Sequence, residues 1–211
     1  MDVEKLRKIF DISARFIDVS IQKVETSSII LKDGVAREVS LGEIFGAGVR
    51  VLDRTWGFVS SNSLKDIHAL AEKACRIARN GEKIEFAAGE VIEDRVKIVP
   101  KIDPFNADAE EKKEILRQAE RVTQGYREVV STSLAYSDSR INSWYLNSEG
   151  TSIEAEYTRV ALFCSVFAKK NGNVQVGFER LGSVAGLEAL QNAAKAAKAA
   201  SERAVRLLDA A

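Results

Sequence analysis

The sequence contains very few of the residues on which metal and thiol chemistry depend. Among its 211 residues there is one histidine, His68, and there are two cysteines, Cys75 and Cys164. A single imidazole excludes a zinc site built on two histidines. Each cysteine lies in an apolar pattern, one in a predicted helix and one in a predicted strand. We therefore interpret both as small buried side chains rather than as a disulfide or a nucleophile.

The sequence also has no excess of positive or of negative charge. The 31 Lys and Arg residues are balanced by 31 Asp and Glu residues, so the formal net charge is zero. Direct nucleic-acid binding usually requires a basic excess, which argues against such a partner. No run of 18 apolar residues occurs, and the N-terminus has a charged helical pattern rather than a signal peptide. These absences predict a soluble, cytoplasmic protein without a membrane partner.

Hydrophobic periodicity predicts the elements of the first half. A helix over residues 2–16 is followed by strands, with the turn of the first hairpin at Lys32-Asp33-Gly34. From Ser63 a helical period returns and ends at Asn80-Gly81, with Ser60 to Ser63 providing its N-cap. The strand segments are predicted at residues 17–24, 28–31, 35–41, 48–52 and 55–59.

The second half repeats this order of elements. A helix capped by Asn106 or Asp108 extends to about Gln124, and strands lead through a turn at Glu149-Gly150 to a closing helix over residues 184–208. The turns of the two halves are offset by 116 residues, and Trp56-Gly57-Phe58 and Val176-Gly177-Phe178 are offset by 120. We interpret residues 1–80 and 108–211 as two copies of a helix–strand meander–helix unit, joined by a linker at 81–107. The fold class predicted is α+β, with an antiparallel or mixed sheet covered by helices.

No catalytic constellation stands out from the residues themselves. Gly46-x-Gly48 superficially suggests a dinucleotide fingerprint, but it leads into a strand instead of a helix, so a strand or bulge role is favoured. Arg50 is interpreted as a solvated or cross-strand-paired cation, or else as a docking group for a peptide carboxylate or another domain. Trp56 and Phe58 form either core or an aromatic wall, and core is favoured.

His68 and the last helix complete the candidates. The nearest possible metal ligands to His68 are carboxylates on a solvated helix face, so we interpret His68 as a structural residue. The last helix has a narrow apolar seam that contains alanines together with Leu190 and Leu208. Packing on its own sheet is favoured over an interface that has lost its partner. Arg50, Trp56, Phe58, Leu190 and Leu208 are thus the candidate contacts to a peptide or to another domain.

Several short motifs, in a fixed order, carry a resemblance to a known family. They are the Lys32-Asp33-Gly34 turn, the Gly-Ala-Gly-Val-Arg-Val and Trp-Gly-Phe stretches at 46–51 and 56–58, an alanine-rich helix ending at Arg79, and the stretch at 146–154. In this combination the sequence resembles the N-terminal domain of the TldD/PmbA zinc metallopeptidases. The resemblance covers nearly the whole chain.

The resemblance implies a non-catalytic domain of a peptidase that degrades unstructured peptides. The family's zinc site is a His-Glu-x-x-x-His motif in a later domain, so zinc is expected in the full-length enzyme and no cofactor is expected here. The implied partners are a C-terminal catalytic domain, a homologous subunit in a homo- or heterodimer, and an extended peptide. We expect an N-terminal fragment, natural or engineered, that neither binds zinc nor cleaves peptides. The alternative is a stand-alone interaction module without peptidase activity.

Overall fold

The structure, a computed structural model, describes residues 6–87 and 89–210. Seven strands are connected in the order β3-β2-β1-β5-β6-β4, and β7 pairs with β6. The pairing of β4 with β6 is parallel, whereas β2 with β3 and β6 with β7 are antiparallel. The predicted α+β class with a mixed sheet is therefore confirmed. The strands are β1 (Phe16–Lys32), β2 (Val35–Leu52), β3 (Trp56–Ser61), β4 (Glu93–Lys97), β5 (Val129–Asn147), β6 (Ser152–Lys170) and β7 (Asn173–Ser183).

Three α-helices lie entirely within the described residues: α1 (Ile67–Ala78), α2 (Ala109–Thr123) and α3 (Ala193–Leu208). The predicted cap of α2 is confirmed as Asp108, whose Oδ1 accepts from the N–H groups of Glu110 and Glu111 at 2.8 Å each. The Glu111 carboxylate in turn accepts from the N–H of Asp108, which completes a capping box. No described helix has the length and apolar character that crossing a bilayer requires.

Several predicted boundaries were wrong. Part of the helix expected over residues 2–16 lies outside the described residues; Leu6 and Arg7 are helical, and the helix ends in a 3-10 segment, Lys8–Asp11, instead of continuing to residue 16. The chain becomes extended at Ile12, and the N–H of Arg15 already donates to Leu52 O at 2.9 Å. Helix α1 begins at Ile67 instead of Ser63, because the hydroxyls of Ser61 and Ser63 accept from backbone N–H groups in turns that precede it.

The closing helix is also shorter than predicted. It begins at Ala193, after a 3-10 turn at Leu187–Leu190. The Glu188 carboxylate accepts from the N–H groups of Gly186, Lys101 and Ile102 at 2.9–3.0 Å, so it holds the chain in a non-helical path. A Cβ atom on Gly186 would stand 2.0 Å from Ile102 O, and only glycine permits this approach.

The strands are longer than predicted. Polar stretches near Glu25 in β1 and Gly42 in β2 interrupt the hydrophobic alternation, and the sequence therefore predicted breaks there. Backbone hydrogen bonding to neighbouring strands does not depend on side chains, so each strand continues through its polar stretch.

The chain forms two compact units. Unit 1 contains the residues up to Val24 together with Glu43–Lys97 and Ile141–Glu156. Its core joins alternate residues of β1 and β2 to the apolar face of α1, and it includes Ile17, Val19, Ile21, Val49, Val51, Ala71 and Ala74. Residues opposite to these on the strands lie on the other face of the sheet, which we call the open face of unit 1.

Unit 2 contains Glu25–Gly42, Ile98–Arg140 and the residues from Tyr157 onward. Helix α3 packs on β7, and its alanines Ala197, Ala200 and Ala204 are fully buried. Within this unit Lys112 Nζ lies 2.6 Å from Asp138 Oδ2, and Ser27 and Tyr136 donate hydroxyl hydrogen bonds to the same carboxylate oxygen. This buried ion pair is thus fully hydrogen-bonded, as a desolvated pair must be.

The two units do not coincide with the predicted repeats, since β1, β2, β5 and β6 each contribute residues to both units. The duplication concerns the order of elements along the chain, and it stays a prediction. It is supported by the hairpins β2–β3 and β6–β7, each of which is followed by a helix that packs on its second strand.

Candidate functional site

The open face of unit 1 brings together three of the five candidate contact residues. Arg50, Trp56 and Phe58 alternate with Val51, Gly57 and Val59 along β2 and β3, and Arg50 pairs with Phe58 in the strand register. The position of Gly57 shows which face of the sheet each of these residues lies on. A Cβ atom there would stand 1.9 Å from Ala74 O, so Gly57 faces α1 and its neighbours face away from it.

Trp56 and Phe58 are therefore not core residues, and the favoured interpretation was wrong. Trp56 is 36% exposed and Phe58 is 58% exposed. Their segment has the composition of a core strand, but the backbone contact of Gly57 with helix α1 assigns both aromatic side chains to the opposite face. An exposed aromatic pair at the edge strand of a sheet is typical of a contact surface.

Arg50 is paired across the strands, which is one of the two interpretations left open. Its Nε lies 3.1 and 3.0 Å from the two carboxylate oxygens of Asp18, and its Nη2 lies 2.6 Å from Asp18 Oδ2. The Asp18 side chain is 2% exposed, whereas that of Arg50 is 52% exposed. The hydrogen bonds to Asp18 raise the pKa of Arg50. The guanidinium also lies over the Trp56 ring, 5.2 Å from its centroid.

An aromatic cluster continues from Trp56. Its ring meets Phe16 edge-on at 6.0 Å and Phe86 at 5.7 Å between centroids. Phe16 and Phe86 lie 4.9 Å apart. This cluster holds the segment after α1 against the hairpin and orients Trp56 beneath Arg50.

A cleft of 670 Å³ lies within unit 1. It is lined by open-face residues such as Gly48, Phe58 and Ser60, and it also reaches Ile21, Ala47 and Trp144, which pack on the core side. Its size falls inside the range of about 300–1,000 Å³ typical of ligand pockets. The apolar lining consists of Ile21, Ala47, Phe58, Trp144, Tyr145 and Ile153. The polar lining consists of Ser20, Gln22, Ser60, Ser61, Asn62 and Ser143. Gly46 and Gly48 of β2 complete it.

The Tyr145 hydroxyl is protonated at neutral pH. Burial raises the pKa of Tyr145, and the nearby Asp18 carboxylate raises it further. The residue therefore offers the cleft a neutral hydroxyl rather than a phenolate.

Sequence reasoning missed Asp18, Trp144 and Tyr145. Asp18 could have been predicted, because an aspartate between Ile17 and Val19 in an alternating strand lies on the polar face, where its carboxylate is expected to have a hydrogen-bonding partner. Trp144 and Tyr145 gave no signal, because their strand reaches this face only through sheet pairing that is distant in sequence.

The other two candidates, Leu190 and Leu208, are in a different place. They are 2% and 7% exposed in the core of unit 2, which confirms that the last helix packs on its own sheet. A partner could reach these leucines only if this core opened.

The candidate metal and thiol residues form no site. His68 is exposed, and its Nδ1 lies 3.5 Å from the Glu72 carboxylate. Among residues 6–87 and 89–210 no group of three or more His, Cys, Asp and Glu side chains is placed to hold a metal ion. Both cysteines are buried and free, as predicted, and burial raises the pKa of Cys164 to about 12. The residues described do not fit a catalytic zinc ion.

Comparison with known proteins identifies the family. Residues 17–78 match a family model described as PmbA/TldA metallopeptidase domain 1, and residues 102–208 match one described as the central domain of the same metallopeptidases. The chain belongs to the PmbA/TldD metallopeptidase family. The resemblance based on the sequence motifs is thereby confirmed.

Two archaeal relatives carry the name metalloprotease. The protein of Methanocaldococcus jannaschii is 35% identical over 100% of this chain, which spans 48% of that relative. The protein of Methanothermobacter thermautotrophicus is 32% identical over 96% of this chain, which spans 46% of it. This chain thus spans about half the length of these relatives.

Solved structures share the fold. A Thermotoga maritima protein named for modulation of a DNA gyrase superposes with a TM-score of 0.79 at 18% identity, and this chain covers 48% of it. TldE from Thermococcus kodakarensis superposes with a TM-score of 0.76 at 12% identity, and this chain covers 47% of it. In each case 96–97% of the PmbA/TldD chain is included in the match.

Proposed function

We propose that this chain is the non-catalytic, N-terminal part of a PmbA/TldD metallopeptidase and that it presents unstructured peptides to a zinc-dependent catalytic domain. The observation that carries this proposal is the open face of unit 1, where a cleft, exposed aromatic side chains and an edge strand occur together in residues that the two family models match. An edge strand can bind an extended peptide through main-chain hydrogen bonds, which require little of the peptide's sequence.

The partners follow from the same proposal. A catalytic domain would supply the zinc chemistry that the described residues do not support, and a homologous subunit would complete a dimer. Arg50, Trp56 and Phe58 are the proposed contacts to peptide or partner. Because Asp18 already neutralises Arg50, the guanidinium contributes a flat, partly stacked surface more than an unpaired charge.

Peptide binding by the 211-residue chain tests the proposal. A fluorescein-labelled unstructured peptide derived from casein is titrated with the chain, and anisotropy is recorded with and without an unlabelled folded protein as competitor. We expect saturable binding that the folded protein does not displace. Absence of binding would reject peptide presentation and favour the stand-alone interaction module.

Metal content and cleavage test the non-catalytic assignment separately. After dialysis against zinc and then against buffer, we expect no stoichiometric zinc and no shortening of the same peptide by mass spectrometry. One tightly held zinc ion per chain, or metal-dependent cleavage, would contradict the assignment even if peptide binding were observed.

A further inference from the structure

The cleft of unit 1 has an unusual electrostatic character for a protein in which 29% of residues are charged. Among the described residues that line it, none is Asp, Glu, Lys, Arg or His. Its hydrogen-bonding groups are serine hydroxyls, the amides of Gln22 and Asn62, and the Tyr145 hydroxyl. Transfer of an ionised group into such a site removes its hydration without supplying a counter-charge.

The ion pair of Arg50 with Asp18 does not alter this character. Arg50 and Asp18 lie beside the cleft on the same face, but each carboxylate oxygen of Asp18 already accepts from the guanidinium. The pair is bidentate and therefore directional, so its charges largely cancel at the distance of a bound ligand.

Two glycines give the cleft its depth. A Cβ atom on Gly48 would stand 3.0 Å from Cε2 of Phe58, so the phenylalanine ring lies directly on the backbone of β2. A Cβ atom on Gly46 would have no heavy atom within 4 Å. Space is therefore open above Gly46, and Phe58 and Tyr145 are among the residues that line the cleft around it.

The cleft adjoins a strand edge. Ser60 and Phe58 belong to β3, the terminal strand of the sheet order, and Ser60 pairs with Gly48. A chain lying along this edge would place alternate side chains on the open face, with the polar main-chain groups near Ser60 and Asn62.

From these observations we infer that the cleft is a subsite for an uncharged apolar side chain, aromatic or aliphatic, of an extended peptide. This inference rests on the proposed peptide presentation and adds a selectivity to it. The apolar walls bind the side chain, the hydroxyls and amides receive the flanking peptide groups, and acidic or basic side chains are rejected by desolvation.

The test uses the whole chain and blocked pentapeptides, acetyl-Gly-Gly-X-Gly-Gly-amide, with Phe, Leu, Glu or Lys at X. Isothermal titration calorimetry gives each Kd. We expect the Phe and Leu peptides to bind at least about tenfold more tightly than the Glu and Lys peptides, which corresponds to about 1.4 kcal/mol.

Gly46→Leu is the blocking variant, because a Cβ atom there would have no heavy atom within 4 Å and the side chain would extend into the open space. Gly89→Leu is the matched control, since a Cβ atom there also has no heavy atom within 4 Å and Gly89 does not line the cleft. Circular dichroism verifies that both variants are folded. We expect Gly46→Leu to weaken binding of the Phe peptide at least about tenfold and Gly89→Leu to leave it unchanged.

The outcomes separate this inference from the proposed function. If Gly46→Leu binds the Phe peptide as tightly as wild type, or if charged peptides bind equally well, the subsite is refuted while peptide presentation stands. If the casein-derived peptide also fails to bind the wild-type chain, peptide presentation itself is refuted.

Discussion

Gly57 and Ala74 are in direct backbone contact: a Cβ atom on Gly57 would stand 1.9 Å from the Ala74 carbonyl oxygen. The same geometry occurs in unit 2, where a Cβ atom on Gly177 would stand 1.8 Å from Ala200 O. In both cases the glycine is the middle residue of an apolar-Gly-Phe triplet and faces a helical alanine. Each contact lets a helix lie closer to its strand than any side chain would permit.

Replacing Gly57 by alanine should therefore destabilise the fold. The new methyl group must displace backbone atoms of α1, and overpacking of this kind costs roughly 1–3 kcal/mol, occasionally more. Urea denaturation followed by circular dichroism measures the change. Gly46→Ala is the matched control in another strand, and we expect it to change stability by less than about 0.5 kcal/mol. Equal stability of the two variants would refute the contact.

The duplication makes a related prediction about an experimental structure. The hairpin β2–β3 with α1 should superpose on β6–β7 with α3, with the same handedness and with Gly57 on Gly177. The shared glycine–alanine contact is the motivation. Opposite handedness in a crystal structure would reject the duplication.

Removing the Arg50 guanidinium should lower the free energy of unfolding, because the buried Asp18 carboxylate loses its partner. Arg50→Met leaves a carboxylate that is 2% exposed without its bidentate partner. We expect a loss of about 2–4 kcal/mol, toward the lower end because Arg50 is half exposed. The double variant Asp18→Asn with Arg50→Met should recover much of that loss in urea denaturation. A double variant less stable than Arg50→Met would show that the carboxylate is satisfied by other groups.

Charge introduced at Leu190 should unfold unit 2. The side chain is 2% exposed, so Leu190→Lys must bury an ammonium group or break the core, at a cost of about 3–5 kcal/mol. Leu207→Lys is the control, because the Leu207 side chain is 37% exposed to solvent on the last helix. Thermal unfolding compares the two. If Leu190→Lys instead stays folded and alters only the sedimentation coefficient, Leu190 contacts a partner, as one interpretation of the sequence proposed.

Acid should loosen the contact between Glu188 and the segment at Lys101. Burial raises the pKa of Glu188, but backbone hydrogen bonds from Gly186, Lys101 and Ile102 outweigh it and lower the pKa from 4.5 to about 2. A depressed folded-state pKa contributes stability that is present above pH 4.5 and is lost as the pH falls towards 2. After allowance for solvent screening this amounts to about 1–2 kcal/mol.

The Glu188→Gln variant removes the charge at this position and so measures its contribution to stability. The variant should be less stable than wild type at neutral pH, and the difference should shrink as the pH falls through this window. Urea midpoints measured at several pH values give the comparison. A constant difference across the window would show that the Glu188 charge is not what holds the segment.

The sequence alone determined the local features of this protein. The Asp108 capping box, the hairpin turns at Asp33-Gly34 and Asn171-Gly172, and the apolar faces of the helices are decided by residues close together in the chain. Their signals are visible in the sequence, because caps, positive φ angles and periodicity are properties of short segments. The ordered motifs were enough to indicate the family and the α+β class.

Only the tertiary structure decided the face on which each strand residue lies and where the strands end. Trp56 and Phe58 look like core residues in sequence, but Gly57 meets Ala74 across a contact between strand and helix and turns both aromatics outward. The cleft likewise assembles residues of β1, β2, β3, β5 and β6 that lie up to 133 positions apart, from Ser20 to Ile153. Sheet pairing is made by backbone groups common to all residues, so side-chain patterns within one segment do not specify which distant strand supplies the opposite wall.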